Sequence, residues 1–235
     1  MTLFLEQNEL TGGLYIPGPT NELLLRFNAR DGYFSFGKTE ITDESGNPIS
    51  LRVLLVGIEK YYGDYYEYIG YDFVKVAVIP LARIEKLNAQ IPCVYTFFLR
   101  GDSRTNFMNA LREAPTIKMS PSLNVAILSS KPVEKTSSTN QKVRVKPLFM
   151  ELVTPIKQEG TNIAKYTKEL QKPENSESVT KLLNYNSGLN IVRLDGENDA
   201  EIKKQFNIAR ANNKELFSVD DFNNGDIKAL PASTY

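Results

Sequence analysis

The sequence predicts a mainly β fold: a β-rich α+β architecture with one inserted helix and a partly helical C-terminal region. Three observations lead to this prediction. Segments with alternating or β-branched apolar residues, typical of strands, recur between residues 20 and 155. One helical pattern interrupts them, and after Pro155 the chain becomes polar and loses its strand signals. We therefore expect a barrel or a small sandwich followed by an appended region.

The predicted elements follow one another in a simple order. Residues 1–19 end in GGLYIPGPT, where glycine and proline indicate an extended N-terminal arm. The β-domain is expected to extend over residues 20–155. Its strand-like segments are NELLLRFNA, YFSFGKTEI, ISLRVLLVGIEKYY, DFVKVAVIPL, CVYTFFLR, LNVAILSSKPV and KVRVKPLFMELVTP, the last two forming a hairpin around EKTSSTNQ.

The inserted helix follows the segment CVYTFFLR. Asp102 or Ser103 can cap it, Phe107 and Leu111 share a face, and Pro115 ends it. A short helix between late strands is common in small barrels of the OB type.

The region 156–235 is predicted to be a polar linker with one or two short helices, followed by a better helix near 199–216. Asp199 is the candidate cap of that helix. Its apolar stripe consists of Ile202, Phe206 and Ala209.

The composition limits the function. The 235 residues include no histidine, which removes Ser–His and Cys–His nucleophile pairs and the main ligand of common zinc sites. We therefore expect no enzyme, no metal and no cofactor, although a carboxylate-based enzyme remains an alternative. The single Cys93 excludes an internal disulfide. With no long apolar run and an acidic N-terminus, a cytoplasmic location and no membrane partner are expected.

The charge is almost balanced. The whole chain has a net charge of zero, whereas residues 20–154 hold 17 basic and 14 acidic side chains, a net charge of +3. This excess is too small for a protein that binds nucleic acid by charge alone.

A tyrosine cluster is the most informative local feature. Six of the twelve tyrosines fall within EKYYGDYYEYIGYDF: Tyr61, Tyr62, Tyr65, Tyr66, Tyr68 and Tyr71. A tyrosine ring suits a surface that is partly buried and partly wet. Three interpretations stay open: stacking on nucleic-acid bases, a protein interface, and local packing.

The stretch RFNARDGYFSFG, residues 26–37, resembles the first nucleic-acid-binding segment of cold-shock domains. In that family an aromatic–Asn–Ala stretch turns through a glycine into aromatic residues two apart. The matching residues here are Phe27, Asn28, Ala29, Gly32, Tyr33, Phe34 and Phe36. The resemblance implies an OB-like barrel whose exposed aromatic side chains stack on single-stranded bases. The alternative is a pair, Phe34 and Phe36, that faces the core.

The function that we predict from these features is non-catalytic binding of single-stranded nucleic acid, with DNA favoured over RNA, in replication, recombination or a mobile element. The side chains expected to stack on bases are Tyr33, Phe34, Phe36, Tyr61, Tyr62, Tyr65, Tyr66 and Tyr68. Those expected to contact phosphates are Arg26, Arg30, Arg52, Lys60 and Lys75. The alternative is a structural or assembly protein that forms homo-oligomers through tyrosine-rich surfaces and flexible arms. The C-terminal region is the expected site for a protein partner.

Overall fold

Strands dominate the fold. The computed structural model describes residues 14–65, 68–81, 92–113, 124–136, 140–186 and 189–212. The strands are β1 (Leu25–Asn28), β2 (Tyr33–Phe36), β3 (Thr39–Ile41), β4 (Leu51–Tyr65), β5 (Tyr68–Pro80), β6 (Tyr95–Arg100), β7 (Val125–Ser130), β8 (Val133–Thr136), β9 (Lys142–Val145), β10 (Leu148–Leu152) and β11 (Asn190–Arg193). The helices are α1 (Gly101–Glu113), α2 (Lys157–Leu170), α3 (Pro173–Asn184) and α4 (Asp199–Ala211).

The predicted β-rich α+β class is confirmed. The main sheet has the order β10-β7-β4-β5-β6, and β11 pairs with β4 beyond the end of β7. All these pairs are antiparallel. The strands β1-β2-β3 form a small second sheet, and β8-β9 form a two-stranded ribbon. Among the described residues the sheets stay open and no barrel closes, because β1 reaches β6 only through an isolated bridge between Leu24 and Thr96.

The long hairpin of β4 and β5 shifts register twice, first between Leu55 and Gly57 and again between Gly63 and Tyr65. Leu55 pairs with Val78 and Gly57 with Ala77, so Val56 is an extra residue in β4. Before this bulge the odd-numbered Val53 belongs to the core under the small sheet. Beyond it, odd-numbered Tyr61 lies on the opposite face. The odd-numbered side chains of β4 therefore face one layer before the bulge and the opposite layer after it.

The two faces of the main sheet are covered by different elements. On one face, the small sheet and α1 bury a core that includes Leu25, Phe34 and Phe107. On the other face, α2 and α3 pack through Tyr166, Leu170, Val179, Leu182 and Leu183.

The predicted second strand YFSFGKTEI is two strands. Phe36 pairs with Thr39, so Gly37 and Lys38 form a two-residue turn between β2 and β3. Gly37 has a φ of 59°, which favours glycine and permits this turn.

The described residues after Pro155, 156–186 and 189–212, pack on the sheet instead of forming a separate polar region. β11 extends the edge of β4, and α4 buries Ile202 and Phe206 against Tyr62. The helix predicted near 199–216 is present over Asp199–Ala211, and residues 213–216 lie outside the described residues. The division at residue 155 thus does not separate two independently packed parts.

Part of the predicted N-terminal arm, residues 14–19, also packs on the fold. Tyr15 N–H donates to the carbonyl of Pro92 (2.9 Å), and Val94 N–H donates to the carbonyl of Tyr15 (2.9 Å). Leu14 is buried. Residues 1–13 of the arm lie outside the described residues.

Candidate nucleic-acid interface

A groove runs along the open edge of β6 and has a volume of about 570 Å³. We call it the edge groove. Its lining comes from β1 and the turn after it, the tip of the β4–β5 hairpin, the junction of β6 with α1, and the base of the β8–β9 ribbon. These residues are Leu25, Arg26, Phe27, Ala29, Arg30, Tyr65, Tyr68, Phe73, Phe98, Leu99, Arg100, Gly101, Asp102, Ser103, Lys135, Val145 and Pro147.

One wall is the turn between β1 and β2, which is held rigidly. Asn28 Oδ1 accepts the N–H of Arg30 (2.9 Å), and the Asn28 carbonyl accepts the N–H of Gly32 (2.7 Å). Gly32 has a φ of 83°, and a Cβ there would lie 2.5 Å from the Ser130 hydroxyl oxygen. Ser130 in turn donates to the Gly32 carbonyl (2.7 Å). The turn therefore fixes the backbone from which Arg30 projects.

Aromatic side chains make the opposite wall and the floor. The ring of Tyr65 lies 5.2 Å from that of Phe98 and 5.5 Å from that of Phe73, measured between centroids. The Arg100 guanidinium packs over the ring of Tyr68, with its central carbon 3.0 Å from the ring centroid. Tyr65, Tyr68 and Phe98 are half-buried, so each ring is supported and still has exposed surface.

The groove is electropositive. Four cations line it: Arg26, Arg30, Arg100 and Lys135. Asp102 is the one carboxylate in the lining, which gives a net charge of +3, and it forms a salt bridge with Lys135. Arg26 and Arg30 are exposed. The arrangement suits an elongated anion with flat, apolar parts.

The structure brings four of the predicted site residues together. Arg26, Arg30, Tyr65 and Tyr68 all line the edge groove. They come from two segments of the chain that the sequence analysis treated separately, the cold-shock-like stretch and the tyrosine cluster.

Three predicted site residues are buried, and the prediction that they contact nucleic acid is wrong for this conformation. Phe34 is 3% exposed and packs edge-on against Phe97 at 5.3 Å. Tyr61 is 2% exposed, and its hydroxyl donates to the carbonyl of Leu183. Burial raises the pKa of Tyr61 well above its usual value. Both rings belong to the core because they alternate inward on their strands.

Lys75 is the third buried residue. Its side chain is fully buried and forms an ion pair with Glu22 (2.6 Å). It also donates to the carbonyls of Leu182 and Tyr185 (both 2.7 Å), at the end of α3. Burial lowers the pKa of Lys75, whereas the Glu22 carboxylate opposes that shift. This lysine therefore joins three elements inside the protein.

Several other predicted residues lie away from the groove. Arg52 is on β4, where Nε and Nη2 both donate to the Glu159 carboxylate. Tyr62 packs on Phe206 and exchanges hydrogen bonds with Asn207 of α4. The remaining residues in this group are Tyr33 and Phe36 on β2 and Lys60 beside the β11–α4 connection, while Tyr66 lies outside the described residues.

Arg100, Phe98 and Lys135 line the groove but were not predicted as site residues. Phe98 and Arg100 belong to the predicted strand CVYTFFLR and Lys135 to the predicted loop EKTSSTNQ, but nothing in the sequence places the end of β6, the hairpin tip and the β8–β9 ribbon around one groove. Arg100 directly precedes Gly101, whose φ of 53° starts α1. An arginine at a strand end before a helix cap was the available signal.

The described residues contain no group of three or more metal-ligating side chains, and none of their helices is long and apolar enough to cross a membrane. Comparison of the chain with protein-family models, curated proteins and solved structures found no significant match.

Proposed function

We propose that the protein binds single-stranded nucleic acid in the edge groove without catalysing a reaction on it. The observation that carries this proposal is the meeting of four cations with half-buried aromatic rings along one open sheet edge. Proteins that bind single strands combine these two features, because cations follow the phosphates and aromatic rings stack on bases of any sequence.

Each side chain has a distinct role in this proposal. Arg26 and Arg30 contact phosphates from the rigid turn, and Arg100 does so from the end of β6. Tyr68 and Phe98 offer ring surface to bases. Because every base has a π-face, such a site tolerates many sequences. DNA is proposed in preference to RNA, and a comparison of single-stranded DNA with single-stranded RNA of the same sequence tests this preference.

The small charge of the groove makes a quantitative prediction. If about three to four phosphates are neutralised, each contributes about −0.7 to the slope of log affinity against log salt on a single strand, so the slope should lie between about −2 and −3. If the slope is this shallow and single strands still bind, base stacking must contribute the remaining binding free energy.

Fluorescence anisotropy with labelled oligonucleotides of about 15 nucleotides tests the proposal. Single-stranded DNA, single-stranded RNA and duplex DNA of one sequence are titrated at several salt concentrations. Tyr68→Ala should weaken single-strand binding roughly 5- to 150-fold, the equivalent of about 1–3 kcal/mol for one stacked base. Arg30→Gln should reduce the magnitude of the salt slope by about 0.7.

Tyr185→Ala is the matched control, because Tyr185 is also a half-buried tyrosine but does not line the groove. Its affinity should equal that of the wild type. If single strands do not bind at low salt, or bind no better than duplex, the proposal is wrong. The assembly alternative then gains, and Ile69 and Tyr71, 62% and 47% exposed at the hairpin tip, are the apolar surface to test for self-association.

A further inference from the structure

The β8–β9 ribbon is a strongly basic projection. Residues 131–136 and 140–146 carry five cations and one carboxylate, Glu134, a local net charge of +4 in a chain whose total charge is zero. The two strands of the ribbon, each of four residues, pair over their whole length, and most of their side chains are exposed. Within the described residues the ribbon joins no other sheet.

Packing explains only part of this charge. Lys131 lies over the ring of Phe149 (5.7 Å), and Lys135 is paired with Asp102.

The other three cations of the ribbon form no ion pair within the part of the chain that the structure describes; they are Lys142, Arg144 and Lys146. Arg144 lies opposite Glu134 in the ribbon, whereas Lys142 lies opposite the uncharged Thr136. A solvated ribbon needs charge for solubility, but it does not need charge of one sign.

The base of the ribbon is fixed to both sides of the edge groove. Lys146 N–H donates to the carbonyl of Ala29 (2.7 Å) in the β1–β2 turn. The salt bridge of Lys135 with Asp102 connects the ribbon to α1. Val145 lines the groove itself. Lys142 and Arg144 therefore lie farther along the ribbon that starts at the groove, on the face opposite to Val145.

We infer that the β8–β9 ribbon is a second contact site, which binds the phosphodiester backbone of the nucleic acid where it leaves the edge groove. This inference rests on the proposed function of the groove. Lys142 and Arg144 would neutralise phosphates outside the groove and release their counterions, without reading base sequence. The protein would then hold a longer stretch of nucleic acid than the groove alone contacts.

Two ligands of different length separate the ribbon from the groove. A single strand of about 6 nucleotides should occupy the groove only, and one of about 15 nucleotides should also reach the ribbon. The longer strand should bind more tightly, with a salt slope steeper by about 1.4 if two further phosphates are contacted. A third ligand, the short strand continued as a duplex, shows whether the backbone at the ribbon is single- or double-stranded.

The test variant is Lys142→Gln with Arg144→Gln. It should abolish the gain from length and the extra salt slope, and leave binding of the short strand unchanged. The matched control is Lys165→Gln with Lys168→Gln, which removes the same charge from exposed positions on α2, across the sheet. The control should behave as the wild type with every ligand.

The two proposals fail in different ways. If the short strand binds and responds to Tyr68→Ala, but neither longer ligand binds more tightly, the ribbon inference is wrong and the groove proposal stands. An equal loss in the ribbon variant and the α2 control would also overturn the inference, because it would reduce the effect to total charge. If the short strand does not bind, the groove proposal itself is wrong.

Discussion

Lys75 has the least usual surroundings of any charged residue described in this protein. Its ammonium group is enclosed by the Glu22 carboxylate and two carbonyls at the end of α3, and Thr96 also donates to Glu22. Lys75 lies 5.4 Å from the ring of Phe98, a residue of the groove floor. One buried cation thus connects the segment before β1, the sheet and α3.

The losses of stability from removing Glu22 and from removing Lys75 should therefore be coupled, because either partner left alone stays buried. Glu22→Gln should lower the free energy of unfolding by about 3–5 kcal/mol, because Lys75 would remain buried without its carboxylate. The double variant Glu22→Gln/Lys75→Met should lose less than the sum of the two single variants. Urea unfolding of the four proteins measures this coupling. Strictly additive losses would show that the ion pair contributes nothing specific.

At the scale of residues, the sequence predicted types of side chain better than their exposure. Arg26, Arg30, Tyr65 and Tyr68 were predicted as site residues and do lie together. Tyr61 belongs to the same tyrosine-rich stretch but is buried, since α3 provides the acceptor for its hydroxyl. Exposure depends on which elements cover a strand, and that information is distributed over distant parts of the chain.

At the scale of elements, the start of α2 is fixed by a tertiary contact. Ile156 precedes the helix and cannot cap it through its side chain, but the Glu159 carboxylate accepts the N–H of Ile156 (3.0 Å) and pairs with Arg52 of β4. Arg52 also donates to the carbonyl of Thr154 (3.1 Å). Glu159 therefore closes the helix end and attaches it to the sheet.

This contact should make stability depend on acid pH. Hydrogen bonds from Arg52 lower the pKa of Glu159, so its stabilising effect is present above the ordinary carboxylate pKa and is lost as the pH falls through the lowered value. Glu159→Gln should cost about 1–3 kcal/mol at neutral pH. The difference from the wild type should shrink as the pH falls below the ordinary carboxylate pKa and through the lowered pKa of Glu159.

Urea midpoints at a series of pH values measure that difference. Glu177→Gln is the control, because Glu177 also pairs with a cation, Lys181, but both side chains are exposed. It should change the midpoints little at any pH. A constant difference between Glu159→Gln and the wild type down to acid pH would contradict the role given to Glu159.

The elements themselves were predictable where local signals exist. The structure has α1 over Gly101–Glu113 and α4 over Asp199–Ala211, close to the helices predicted from a cap and an apolar stripe. By contrast, α2 begins after Ile156 and α3 after Lys172, neither of which is a capping residue. Their apolar side chains are visible in the sequence, but the surface that they cover is not.

At the scale of the whole molecule, the described fold continues well beyond Pro155. From sequence, a protease-resistant fragment is expected to end near residues 155–165. The structure predicts instead that protection extends at least through α4, because removal of α2 and α3 would expose the buried Leu54 and Ile79 to water and removal of α4 would expose Val192. Limited proteolysis with mass spectrometry distinguishes the two end points. A stable fragment that ends before α2 would show that the C-terminal helices are dispensable.

The extra residue at Val56 has a consequence for evolution. Buried positions of β4 such as Val53 and Leu54 need only an apolar side chain of suitable size, but the number of residues between Leu51 and Gly63 is fixed. Deletion of one residue would reverse the direction in which the side chains of one half of the strand face. Side chains that now pack on α3 would then face the small sheet. Distant relatives of this protein should therefore preserve that spacing even where every residue in it has changed, and they are best sought by the length of this strand.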